Sequence, residues 1–109
     1  MKINFQQVCD VLAGKTRGRR AGHSLSLAVR IVFKSIDPGK DIVIPCQNEH
    51  RSYDMMCMIH EIALEIGIPV ERRKKNSARI GNRNIETTTY NRFDKPEFNR
   101  ARSFEAIMD

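Results

Sequence analysis

Apolar and polar positions change their period several times along the chain, and each change marks an element. Phe5, Val8, Val11 and Leu12 recur at helical spacing, which predicts a short amphipathic helix over 4–13 that ends near Gly14. From Gly14 to Gly22 the chain is glycine, arginine and small residues, and reads as a loop. Ser24 has the chemistry of an N-cap. Leu25 to Ile36 then form a helix apolar on most sides, with Arg30 and Lys34 on one exposed strip. A helix that apolar belongs in the middle of a domain. Asp37-Pro38-Gly39-Lys40 is a turn, and Asp41-Ile42-Val43-Ile44-Pro45 is a short apolar run suited to a buried strand.

A second long helix is expected to start between Asn48 and Ser52 and to run to Ile66. Residues three and four apart share a helix face, so Met55, Ile59, Ile62 and Ile66 make its core side, and Gly67 supplies the C′ position. Ile68 to Arg72 reads as a strand. Ser77 to Ile80 and Asn84 to Thr89 read as two more, joined through Gly81-Asn82-Arg83, with Thr87, Thr88 and Thr89 adding β-propensity. Beyond Asn91, charges mix with Phe93, Phe98 and Phe104, the pattern of a short helix or a packed tail. Strands alternating with helices predict an α/β protein: one domain over 1–109, in two or three layers, on a short and partly parallel sheet.

Composition narrows the functional classes. With 109 residues, 40% hydrophobic and 29% charged, the chain matches an ordinary small domain and is too short for a complete motor ATPase, polymerase or two-domain helicase. Arg30 and Lys34 interrupt the longest apolar stretch, so no membrane contact is expected. The start of the chain lacks a secretory pattern, and three cysteines, an odd number, point to reduced thiols in a cytoplasm.

The net charge of +6 changes the picture more, because it is concentrated. Residues 15–34 carry +6 and residues 69–92 carry +5, while 35–68 between them carry −4. Two basic blocks that meet in the fold would make one phosphate-binding face. In the second block Arg72, Arg73, Lys74, Lys75, Arg79 and Arg83 are interleaved with Asn76, Asn82, Asn84 and threonines. Cations neutralise phosphates, and amides and hydroxyls reach sugars and base edges, so the composition suits nucleic acid. Tyr90 and Phe93 are available for stacking on a base. The same cations on an edge strand also protect it from aggregation.

In the first block, Arg17, Gly18, Arg19, Arg20, Gly22, His23 and Ser24 have the layout of a phosphate loop opening a helix. Glycines let amides turn toward an anion, and arginines and the helix N-terminus add positive charge. The stretch Gly18 to Ser24, followed by Leu25-Ser26-Leu27-Ala28, resembles the Walker A loop of the large terminase ATPases of tailed phages and, less closely, of superfamily helicases. The similarity extends through Asp41 to Pro45, where those proteins have their next strand, and through residues 50–66, where they have the following helix. It implies a P-loop-like fold and a small phage-type accessory protein acting in the cytoplasm of a host cell. His23 stands where the family has the lysine that contacts the β- and γ-phosphates, and no apolar run followed by paired acids appears downstream. These departures argue for anion binding without turnover and without a cofactor.

Cys46, His50, Cys57 and His60 are zinc-ligand types within one short stretch, but their spacing does not match a zinc motif, and an exposed polar helix face accounts for them. The expectation is therefore a protein that binds nucleic acid or another polyanion through a basic face. The competing readings are a small interaction protein that docks on an acidic surface of a host or phage protein, and a nucleotide-binding switch.

Overall fold

The computed structural model describes residues 20–100 and 102–108 together with Gln6 and Cys9. Helix α1 (Arg20–Lys34) leads into β1 (Asp41–Cys46) and α2 (Glu49–Glu65). A meander of β2 (Val70–Lys74), β3 (Ser77–Ile80) and β4 (Arg83–Thr89) follows, then two single-turn helices, α3 (Tyr90–Phe93) and α4 (Pro96–Asn99), and last β5 (Phe104–Ala106). The strands form one sheet in the order β2-β3-β4-β1-β5, antiparallel within the meander and parallel where β1 meets β4 and β5. The protein is thus of α/β class with a partly parallel sheet, as its alternating pattern predicts. None of the described helices is long and apolar enough to cross a membrane.

Two expectations are corrected. Helix α1 begins at Arg20, so Ser24 lies inside it and is not its N-cap. The stretch after Asn91 is more than a short helix or tail, because Phe104–Ala106 adds a strand to the sheet. The second long helix follows the sequence closely. Asn48 is its N-cap, with the side chain accepting from Arg51 N at 2.9 Å, and Gly67 follows its end at φ 82°.

Register assigns the faces. Ile42 pairs with Ile85, which pairs with Ala78. These residues, with Ile44, Cys46 and Ile80, point toward α1 and α2. There they meet Leu27, Ala28, Val29, Ile31 and Val32 of α1 and Met55, Met56, Ile59, Ile62 and Ala63 of α2, all buried. Each fully buried isoleucine or methionine stabilises the fold by roughly 1.5–3 kcal/mol in transfer terms, and this cluster is the main source of stability.

The opposite face carries Val43 and Pro45 of β1, Thr88 of β4 and Phe104 of β5. Phe93, Phe98 and Phe104 contact one another edge to face, with ring centroids 5.8–6.0 Å apart, and α3 packs on β4 and β1. The β2-β3 half of this face presents Glu71, Lys74, Ser77 and Arg79. Pro45 is tolerated in a central strand for a geometric reason. Val43 O accepts from Ile107 N, so Val43 and Pro45 both turn their main-chain groups toward β5, which ends before it reaches Pro45.

Both long helices end at the amino edge of the parallel strands. Ser35 O accepts from Asn82 N at 2.8 Å, Gly81 N donates to Pro69 O at 3.0 Å, and Lys34 pairs with Glu105. The Lys34 hydrogen bond, helped by the Arg83 guanidinium and opposed by desolvation, holds the Glu105 carboxyl below its ordinary value. A lowered folded-state value means stabilisation that is present above the unfolded-chain pKa, about 4.3, and lost as pH falls through the folded value. Urea midpoints measured against pH are therefore expected to separate wild type from Glu105→Gln at neutral pH, and the two curves should converge below about pH 4.

Candidate functional site

The second basic block divides into cations turned outward and cations used within the fold. The division originates in β2. Arg72 pairs with Ala78 and Lys74 with Ser77, so Arg73 is an extra residue and the strand carries a bulge. Without it Arg72 and Lys74 would share the helix side of the sheet. With it, Lys74 joins Ser77 and Glu86 on the opposite face.

Arg72 remains on the helix side and is spent there. Its guanidinium donates to Lys74 O at 3.0 Å and Lys75 O at 2.7 Å, and lies 3.0 Å from His60 Nδ1. A guanidinium can only donate, so Nδ1 accepts and the neutral ring carries its proton on Nε2. Arg83 is buried at 9% exposure, donating from Nε to Asp37 O at 2.8 Å and from Nη1 toward Glu105 at 3.4 Å. Arg83 is thus enclosed and Arg72 half-buried, and both fasten the hairpin ends to the rest of the molecule.

Arg73, Lys74, Lys75 and Arg79 are exposed. Arg73, Lys74 and Arg79 carry no ion pair with the described residues. Lys75 Nζ sits over the Tyr53 ring, 5.0 Å from its centroid, with the Arg72 guanidinium 5.9 Å away. The Tyr53 phenol is pushed above its ordinary value, first by its hydrogen bond with Cys57, so the ring stays neutral at physiological pH beside these cations.

Two open cavities, each about 290 Å³, flank the β2-β3 turn and share Lys74. One lies at the carboxyl edge of β1 and β4 and is lined by Glu49, Lys74, Lys75, Asn76 and Arg92. In α/β sheets this edge is where ligands bind. Its Asn76 is fixed: the side-chain amide donates to Ser52 Oγ, Ser52 Oγ donates to Thr87 Oγ1 at 3.0 Å, and Thr87 N donates to Asn76 O at 2.9 Å. The other cavity runs over the open sheet face along Arg73, Lys74, Ser77, Asn84, Glu86 and Arg102. Arg102 pairs with Glu86 at 3.1 Å, with its guanidinium 4.6 Å from the centroid of the Phe98 ring and 5.4 Å from that of Phe104.

The first basic block is described only in part. Arg17, Gly18 and Arg19 lie outside the described residues. Arg20, Gly22, His23 and Ser24 have helical backbone within α1, and Lys34 is engaged with Glu105 at the opposite edge from the Lys75-Asn76 turn. Nor are Cys46, His50, Cys57 and His60 gathered. Cys46 is in the core, His50 is exposed beside Asp54, and His60 faces Arg72. Among the described residues no three histidine, cysteine or acidic side chains are placed to hold a metal ion.

Sequence reading missed Arg102 and Glu49 as members of the site. Arg102 lies outside both basic blocks in a stretch of mixed charge, although its position between Phe98 and Phe104 signals a stacked arginine. Glu49 gives no signal beyond its place in the first turn of a helix. Comparison with protein-family models, curated proteins and solved structures finds no match to this chain.

Proposed function

We propose that the protein binds nucleic acid by its phosphate backbone along the β2-β3 hairpin, with Arg73, Lys74, Lys75 and Arg79 as the principal contacts. The observation that carries this reading is the pair of cavities joined at Lys74, which lets a strand cross the bulge while keeping cations on both sides. Arg92 and Arg102 extend the surface at its two ends. Contacts of this kind position a strand with little regard to its sequence.

Four phosphate contacts imply an affinity that falls roughly 100-fold between about 50 and about 200 mM salt, at about 0.9 logarithmic units of slope per contact with duplex. Fluorescence anisotropy with a labelled DNA or RNA oligonucleotide, single-stranded and duplex, measures this directly. Replacing Arg73, Lys74, Lys75 and Arg79 together by glutamine is expected to remove most of the affinity and most of the salt slope. The reading fails if wild type does not bind at low ionic strength, or if the fourfold variant binds as wild type does.

A further inference from the structure

The carboxyl-edge cavity contains an acid where a binding site for phosphate should have none. Arg92 donates through Nη2 to Glu49 Oε1 at 2.8 Å, and Lys74, Lys75 and Asn76 line the same space. The two partners sit on separate elements. Glu49 opens α2, and Arg92 belongs to α3, where its main-chain N–H donates to Thr89 Oγ1 at 3.3 Å. The ion pair therefore joins two elements that line the cavity. A carboxylate held by a guanidinium, in a cavity that Lys74 and Lys75 also line, has the charge and the hydrogen-bonding partner of a bound phosphate.

Resting on the nucleic-acid reading above, we propose that Glu49 occupies on Arg92 the seat of a strand phosphate and is displaced by that phosphate when nucleic acid binds. Both side chains are largely exposed, 63% for Arg92 and 70% for Glu49, so the pair is easily exchanged. The exchange replaces one anion by another on Arg92. Wild-type Arg92 thus contributes almost nothing to the net release of counterions, and Glu49 sets the affinity below what the cations alone would give. The acid is a built-in competitor that keeps the surface from holding every polyanion it meets.

The test is a double-substitution cycle read by anisotropy with a fluorescein-labelled single-stranded oligonucleotide. Glu49→Gln in the wild-type background is expected to tighten binding about three- to tenfold at low salt and to steepen the salt slope by about 0.7, the value of one added contact to a single strand. In the Arg92→Gln background the same substitution should change neither. Equal tightening in both backgrounds would reduce the effect to general charge removal and overturn the proposal, as would no tightening in either. Stabilisation of wild type against urea by inorganic phosphate, but not by sodium chloride of equal ionic strength, with the oligonucleotide's affinity unchanged by that phosphate, would assign the cavity to free phosphate and overturn the strand contact. Salt-dependent binding of wild type that the fourfold hairpin variant lacks, together with a flat cycle, would leave the nucleic-acid reading standing and remove this one alone.

Discussion

Replacing Gly81 by alanine is expected to lower the unfolding free energy by about 3 kcal/mol, whereas the same change at Gly67 costs about 1 kcal/mol. Both glycines have positive φ, 56° at Gly81 and 82° at Gly67, so both substitutions carry the strain of a left-handed backbone on an L-residue. They differ in surroundings. A Cβ on Gly67 meets nothing within 4 Å, while one on Gly81 lies 2.7 Å from Ser35 O and 3.4 Å from Ile68 Cγ2. Ser35 O is also the acceptor for Asn82 N, so relieving the contact by moving that carbonyl weakens the bond tying the β3-β4 turn to the end of α1. Urea denaturation of both variants followed by circular dichroism separates strain from collision. Equal losses would show that the turn yields freely.

The second large effect is expected at Arg83. Its substitution by methionine keeps the aliphatic bulk but leaves Asp37 O without its donor and Glu105 with Lys34 alone, at a cost of about 2–3 kcal/mol. The guanidinium is seated in space that only glycine leaves open, since a Cβ on Gly39 would stand 2.5 Å from Nη2. Arg83→Met is expected to be strongly non-additive with Glu105→Gln, because once the acid is neutral part of the arginine's contribution has already gone. Simple additivity in the urea midpoints of the single and double variants would show that the two groups do not act together.

How much of this was legible depended on whether the deciding contact is local. Helix α2 could be read almost to its ends, since apolar spacing, the Asn48 cap and Gly67 are all local signals. The start of α1 could not. Gly18 and Gly22 argue for loop, yet arginine and alanine are good helix formers and the helix continues through Gly22. Strand β5 is three residues long with a glutamate at its centre, and only its pairing with β1 makes it a strand. Within the site, charge density pointed to the hairpin, and Arg73, Lys74, Lys75 and Arg79 do face outward. Arg72 and Arg83 look the same in the sequence, but the fold brings His60 to the first and the Asp37 carbonyl to the second.

The central position of β1 also bears on the order in which the chain folds. Its neighbours on both sides come from much later in the sequence: Val43 lies opposite Glu86 on one side and Ala106 on the other. The β2-β3-β4 meander needs only local closure, on a scale of about 1–10 μs for a hairpin, whereas β1 must wait for loops many times longer to close. During synthesis the hairpin that carries the exposed cations can form first. The apolar strand β1, beside β4, keeps an open edge until residues 104–106 have emerged, and that interval is when the chain is most exposed to mispairing.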